Sequence, residues 1–465
     1  MTDDVDTAAR PTEAEAPQRF GLTTAIALIV GSIIGVGVFN LPTSLAAYGP
    51  ISLLSMALTT VGAVVLALLF AALSRRLPAD GGPYAYARVA FGNKLGFANA
   101  WSYWITVWAG NAAIAVGWVL YVEHFINKDH QRGWSMLLVL VGLWIPAAIN
   151  LSGVKNMGVI QVWTTALKFI VLAFMSTVGL FFISTANYTP WNVSDEGAVG
   201  AVGGGMAIAL FSYLGVETAA VAAAKVRDPD RNVPRATVLG TLGTAVVYML
   251  SLTAVFGILP TSKLADATAP FSDAANEIFG GTWAGDVMAI AVIISGFGAL
   301  NGWTMICAEM PLAAAKDGLF PERFKKMSKN GVPAFGIIAS TVLASIAMVI
   351  NYLGSGGATA FTTLVLMTGI TSAIPYGFSA LAQIKWRLAD RRELDTPRFT
   401  RDMIVAVVSL IFAILFIWYS RNTGHKFWVY WGPFFMAGGA LLLGIPVYQA
   451  RRGSMTEPPP VPPHR

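Results

Sequence analysis

Long apolar stretches separated by short polar loops constrain this chain more than any other feature. A helix needs about 20 mostly apolar residues to span the hydrocarbon of a bilayer. Twelve stretches of this kind occur, at 21–44, 50–74, 93–122, 134–153, 157–184, 198–224, 234–259, 284–314, 333–353, 358–384, 402–420 and 428–449. Because lipid cannot satisfy backbone hydrogen bonds, we expect membrane-spanning α-helices and an all-α fold.

Composition supports this assignment and excludes other classes. Only 12% of the 465 residues are charged and the mean hydropathy is +0.62, whereas soluble domains carry roughly 25% charged residues. The net charge of +6 does not indicate a nucleic-acid partner, because nearly all charges lie in loops between apolar stretches. A single cysteine, Cys307, excludes an internal disulfide. We expect no metal or cofactor, since the histidines lie in loops or a tail: His124, His130, His425 and His464.

Lysines and arginines fall into alternate loops. Of the 31 basic residues, 25 lie on the side that holds both termini and five on the opposite side. Cytoplasmic loops are enriched in Lys and Arg, so we expect a multi-pass protein of the cell (inner or plasma) membrane with both termini cytoplasmic. The polar segments 1–19 and 451–465 are expected to be disordered cytoplasmic tails, and no cleavable signal peptide is expected.

A short phrase, S-x-x-G-V, occurs in the first and sixth apolar stretches, at residues 32–36 and 212–216. Interrupted helices at corresponding positions of two halves indicate a transporter's binding site, because the freed backbone groups can bind a substrate. The alternative is close helix packing through small residues.

Five spans separate the two phrases, so the two halves of the chain are expected to be inverted repeats. We assign 20–193 to the first repeat with its external loop, 194–388 to the second, and 389–450 to two appended helices.

Two charged residues lie inside apolar stretches. Glu217 precedes Lys225 by eight residues, about 12 Å of helix, and an acid at that depth needs a partner, water or a proton. It is either a proton-responsive group or a hydrogen-bonded acid that fixes the break in helix 6. Lys168 follows Lys155 by thirteen residues, about 20 Å of helix. The Lys168 ammonium needs carbonyl or carboxylate partners, and broken helix 1 offers carbonyl oxygens, so Lys168 is either a proton carrier or a fixed cation.

Four segments resemble signatures of the amino acid–polyamine–organocation transporter family, and most of all its basic amino acid/polyamine antiporters of the arginine/agmatine type. They are GSIIGVGVF (31–39), GGPYAYARVAFG (81–92), FSYLGVETAAVAAAKVRDPDRNVPRAT (211–237) and AAAKDGLFP (313–321). The resemblance implies twelve transmembrane helices in inverted five-helix repeats, with helices 1 and 6 discontinuous. It also implies that the substrate carboxylate binds amides of helix 1, while its ammonium binds carbonyls of helices 1 and 6.

Carried onto this chain residue by residue, the resemblance and the aromatic pattern give the expected substrate-binding residues. These are Ser32, Ile33, Gly35, Val36, Gly37, Tyr103, Asn111, Phe211, Tyr213, Leu214, Gly215, Trp303, Thr368 and Tyr376. Glu217 and Lys168 are the expected proton-coupling residues. Two features depart from the arginine/agmatine type: Phe211 replaces a stacking tryptophan, and Lys168 resembles the helix 5 lysine of proton-coupled members.

These features predict a secondary active transporter for amino acids, working by alternating access as an amino acid/amine antiporter with an amino acid or polyamine substrate. A proton-coupled symporter of neutral amino acids and a non-transporting amino acid sensor are the alternatives. An enzyme is not expected, because no catalytic cluster lies in the apolar stretches, and neither is a channel, because no ring of pore ligands is evident. The expected surroundings are a lipid bilayer, with the oligomeric state left open between monomer and homodimer.

Overall fold

The computed structural model describes residues 21–77, 81–153, 157–218, 226–354, 356–391, 395–422 and 426–461. In chain order its α-helices are α1 (Leu22–Ile33), α2 (Gly37–Ala46), α3 (Ser52–Arg76), α4 (Pro83–Phe91), α5 (Asn93–Val122), α6 (Arg132–Leu151), α7 (Met157–Thr177), α8 (Ala198–Ala209), α9 (Pro229–Ile258), α10 (Thr261–Asp266), α11 (Pro270–Phe279), α12 (Trp283–Lys316), α13 (Ala334–Gly354), α14 (Gly357–Ala389), α15 (Thr396–Tyr419), α16 (Phe427–Tyr430), α17 (Gly432–Leu442) and α18 (Gly444–Arg451). The predicted all-α membrane fold is confirmed.

Eleven helical spans of the described residues are long and apolar enough to cross a membrane. The sixth predicted stretch, 198–224, begins with a shorter apolar helix over Ala198–Tyr213, and its residues 219–224 lie outside the described ranges. The count of twelve, the inverted repeat and the boundaries between the repeats therefore stay predictions. The tail predicted over 1–19 also lies outside the described residues.

Helices α5 and α14 form the centre of the molecule. The apolar window of α5 is 94% buried and that of α14 is 83% buried, and the two helices pack against each other. The span formed by α17 and α18 is only 17% buried, as expected for apolar helices whose outer faces contact lipid. Residues that point from α5 and α14 toward the broken helices therefore sit deep inside the protein.

The segment after α18 returns to the body of the protein, which differs from the disorder predicted over 451–465. Thr456 is the anchor: its carbonyl accepts hydrogen bonds from Arg88 Nη2 at 2.8 Å and from Asn93 Nδ2 at 2.9 Å. Its hydroxyl donates to the carbonyl of Asp317 at 3.0 Å, and Arg88 also forms an ion pair with the Asp317 carboxylate at 2.8 Å. Residues 462–465 lie outside the described ranges.

Candidate substrate site at two helix breaks

The first apolar span is interrupted, as its glycines predict. Helix α1 ends at Ile33, and Ile34 leaves the helical region with ψ of 86°. Helix α2 begins only at Gly37. The last carbonyls of α1 and the first amides of α2 consequently lack partners within their own helices. In this buried position they must be satisfied by side chains, water or a ligand.

The second phrase also interrupts its helix. Helix α8 tightens into a 3₁₀ turn over Leu210–Tyr213, and Leu214 then adopts an extended ψ of 134°. Gly215 follows with φ of +105°. That φ is strained for any residue with a Cβ, so glycine is required here.

The two breaks lie in direct contact. A Cβ on Gly215 would be 3.0 Å from the carbonyl carbon and oxygen of Ser32, and one on Gly37 would be 2.5 Å from the ring of Phe211. Each break therefore approaches the other through a glycine. Had residues 31–38 and 211–218 been continuous helices, or far apart, a substrate site between them would have been excluded.

A narrow cavity of about 10 Å³ lies between the breaks, with room for about one water molecule. Its lining is formed by Ser32, Ile33, Gly35, Gly37, Val38, Ile114, Phe211, Ser212, Leu214 and Trp303. Seven of these are predicted site residues. Val38, Ile114 and Ser212 were missed, although Val38 lies two residues after the first phrase and Ser212 begins the second. Among the described residues that line the cavity, none has an acidic or basic side chain.

The carbonyls at the end of α1 are mostly occupied. The oxygen of Val30 accepts the Ile34 amide at 2.8 Å, and that of Ile33 accepts the Gly35 amide at 2.8 Å. The Gly31 oxygen accepts a hydrogen bond from Lys168 Nζ at 3.3 Å. Among the described residues no recorded donor reaches the remaining oxygen, that of Ser32. This carbonyl therefore keeps its capacity to accept a hydrogen bond.

Lys168 lies on α7 with its side chain fully buried. Its bond to the Gly31 oxygen agrees with the expectation that it binds a carbonyl of broken helix 1. The negative end of the α1 dipole also favours a cation at this place. Whether Lys168 carries a proton or is a fixed cation stays a prediction.

Glu217 is buried and accepts three hydrogen bonds. The hydroxyls of Tyr103 on α5 and Tyr376 on α14 each donate to its carboxylate at 2.8 Å, and the Gly215 amide donates at 3.3 Å. Glu217 therefore joins the second break to both central helices. Tyr103 and Tyr376, predicted as substrate ligands, have this carboxylate as their partner and do not line the cavity in this conformation.

Thr368 and Asn111 do not line the cavity, but Gly110, the residue before Asn111, lies close to both Thr368 and Trp303. A Cβ on Gly110 would be 3.8 Å from both the Thr368 methyl and the Trp303 ring. Asn111 Nδ2 donates to Thr304 Oγ1 at 3.2 Å, while its buried Oδ1 has no partner within the described part of the chain. A buried amide oxygen without a donor favours a ligand amine or water at this position.

The other predicted residues, Val36 and Tyr213, support the breaks and do not line the cavity. Val36 packs toward Gly296, where a Cβ would be 2.5 Å from its methyl group. The Tyr213 hydroxyl is 2.6 Å from that of Thr60 on α3. Among the described residues, no group of three or more His, Cys, Asp or Glu side chains could hold a metal ion.

Comparison with known proteins identifies similar chains. The family model for amino acid permeases matches residues 20–441. An arginine/ornithine antiporter of Pseudomonas aeruginosa is 30% identical over 89% of this chain and 88% of its own length. A putrescine transporter of Escherichia coli is 30% identical over 79% of this chain and 83% of its own. A cadaverine/lysine antiporter of the same organism is 27% identical over 86% and 89%.

Proposed function

Because this chain belongs to the amino acid permease family, we propose that it exchanges basic amino acids and amines across the plasma membrane by alternating access. The similar proteins named for arginine and ornithine, for putrescine, and for cadaverine and lysine support this substrate class. The observation that carries the proposal is the contact between two helix breaks around a small buried cavity. Transporters of this kind are not enzymes, in agreement with the sequence prediction.

The two ends of the broken helix suit the two charges of an amino acid backbone. The Ser32 carbonyl at the negative end of α1 is an acceptor for the substrate's α-ammonium group. The first amides of α2, at Gly37 and Val38, are donors for its carboxylate at a positive helix end. A substrate bound between them satisfies backbone groups that hydrocarbon cannot satisfy.

The site is closed in this conformation. A cavity of about 10 Å³ cannot hold an amino acid. On one flank α2 is held by Thr43, whose hydroxyl donates to the Ala267 carbonyl at 2.7 Å, and by Phe39, whose ring lies edge-on to Phe271 at 5.2 Å. Phe211 and Trp303 flank the cavity, and we assign them the role of gates that move when the site opens.

Counter-flow in proteoliposomes tests the proposal. Vesicles loaded with unlabelled ornithine or arginine should take up external labelled arginine about tenfold faster than empty vesicles, because exchange needs a substrate on both sides. Agmatine, putrescine, lysine and neutral amino acids compared as internal substrates would define the class. Uptake that does not depend on the internal substrate would refute exchange, and binding without flux would indicate a sensor.

Proton-coupled symport of a neutral amino acid is the second candidate. It is favoured by the buried Lys168 at the Gly31 carbonyl and by the lack of an acidic side chain among the described residues that line the cavity. An acidic side chain in the lining would stabilise the second positive charge of a dicationic substrate. An imposed pH gradient should drive net uptake into empty vesicles by a symporter, and should not do so for an exchanger.

Variants of Lys168 distinguish a fixed cation from a proton carrier. Under exchange, Lys168→Met should lower the rate by about tenfold, because it leaves a buried carbonyl without its donor. Lys168→Arg should retain most of the exchange, since arginine stays charged. Lys263→Met, on the exposed helix α10, is a control with wild-type rates. Loss of exchange in Lys168→Arg with preserved protein would contradict the fixed-cation role.

We further propose that both termini are cytoplasmic, on the basis of the basic-residue asymmetry. The inverted repeat is supported by the two corresponding breaks.

Lipid or a second subunit would lie against the exposed apolar faces of α15 and α17, which include Ile404, Ile414 and Phe435.

A further inference from the structure

Tyr248 is a buried residue of α9 that neither phrase nor resemblance indicated. Its hydroxyl donates to the Ile33 carbonyl at 3.0 Å, which is the last carbonyl of α1 before the break. Its side chain is fully buried. Tyr248 therefore supplies a side-chain hydrogen bond to the end of the first half-helix. Among the described residues, no other side chain donates to the Ile33 carbonyl.

The same side chain contacts the second break. The Tyr248 ring lies edge-on to that of Tyr213, with centroids 5.7 Å apart and an interplanar angle of 62°. Tyr213 ends the 3₁₀ turn before Gly215, and its hydroxyl pairs with Thr60 on α3. A continuous chain of contacts thus runs from Thr60 through Tyr213 and Tyr248 to Ile33.

We propose that Tyr248 is a positioning residue that couples the two breaks, so that both leave the closed conformation together when the site opens. The inference rests on the proposed transport function. Opening the site requires the end of α1 to move relative to the second break, and this movement must separate either the Tyr248 hydroxyl from Ile33 or the Tyr248 ring from Tyr213. The hydroxyl is therefore expected to stabilise the closed state, whose cavity cannot hold an amino acid, relative to the open state that binds substrate.

Removal of the hydroxyl alone tests this role. Tyr248→Phe keeps the ring and its contact with Tyr213, and Ile33 keeps the Gly35 amide as a partner. We expect KM for exchange to fall by up to about fivefold, the equilibrium effect of one ordinary hydrogen bond, because a larger fraction of the protein is then open to substrate.

Two other tyrosines provide matched controls. The Tyr352 hydroxyl has no hydrogen-bond partner among the described residues, so Tyr352→Phe should match the wild type. Tyr188 donates to the Thr253 carbonyl at 2.8 Å, so Tyr188→Phe also loses a hydrogen bond to a carbonyl of α9, but outside both breaks. A KM shift in Tyr188→Phe equal to that of Tyr248→Phe, or no shift in Tyr248→Phe, would overturn the proposal.

Thiol labelling provides an independent measurement. Cys307 is the chain's single cysteine, so Cys307→Ala gives a background in which Ser32→Cys reports access to the cavity. Tyr248→Phe should raise the labelling rate of that cysteine about fivefold, because the closed state is less populated. An unchanged labelling rate would contradict the coupling role. Failure of the parent protein to exchange any substrate would instead refute the transport function.

Discussion

Gly215→Ala should lower exchange by about tenfold or more while the protein still inserts into the membrane. Gly215 has φ of +105°, and an added Cβ would lie 3.0 Å from the backbone carbon and oxygen of Ser32. Backbone atoms cannot move aside as a flexible side chain can, so the two breaks must separate. Exchange rates in proteoliposomes, normalised to inserted protein, measure the effect.

Substitutions at two further glycines provide comparisons for Gly215→Ala. Gly37→Ala brings its Cβ within 2.5 Å of the Phe211 ring, which can rotate, so its defect should be smaller than that of Gly215→Ala. Gly243→Ala lies within α9 with no atom within 4 Å of the new Cβ. It should transport normally and gain up to about 1 kcal/mol of stability from helix propensity. Wild-type exchange in Gly215→Ala would show that contact between the breaks is not required.

Glu217→Ala should lower exchange by about tenfold, lower thermal stability and retain part of the substrate binding. The substitution leaves the buried hydroxyls of Tyr103 and Tyr376 without their acceptor, at about 1–3 kcal/mol for each unsatisfied group. Binding is partly retained because the carboxylate does not line the cavity. The midpoint of thermal unfolding and the dissociation constant separate these two effects.

The conservative variant Glu217→Gln tests the response to protons. Protonation turns one acceptor oxygen of a carboxyl group into a donor, which competes with the tyrosine hydroxyls that donate to it. A glutamine cannot make this change, so the exchange rate of Glu217→Gln should be flat between pH 5 and 8, whereas that of the wild type varies. Equal pH profiles in the two proteins would refute the role of Glu217 as the proton-responsive group.

Glu123 supplies a matched buried acid away from the site. It is buried at the end of α5 and accepts hydrogen bonds from Ser135, Asn127 and His130. Glu123→Gln should lower thermal stability but leave the pH profile of exchange unchanged. A profile that changes to the same extent in Glu123→Gln would assign the pH dependence to general stability and not to Glu217.

Sequence reasoning predicted the spans and their breaks because the signals are local. Hydropathy over about 20 residues indicates a span, and a glycine phrase such as that at 212–216 indicates where the helix cannot continue. The carbonyl partner of Lys168 was also predictable, since a buried ammonium group needs an acceptor and broken helix 1 offers one.

The partners of the remaining site residues depend on contacts between distant segments. Tyr103 and Tyr376 were expected to face a substrate, yet both donate to Glu217, and only the packing of α5 against α14 brings them there. Tyr248 carries no motif, and its role follows from its distance to Ile33. Proline-rich composition predicted a disordered tail, but composition contains no information about the hydrogen bonds between Thr456 and Arg88.

The attachment of Thr456 bears on how the protein is handled. A truncation upstream of Thr456 removes the hydrogen bonds that join this segment to α4 and to the end of α12. Clones that stop at Arg452 remove both Thr456 acceptors of Arg88 Nη2. A tag at the amino terminus leaves Thr456 and its hydrogen bonds to Arg88 in place.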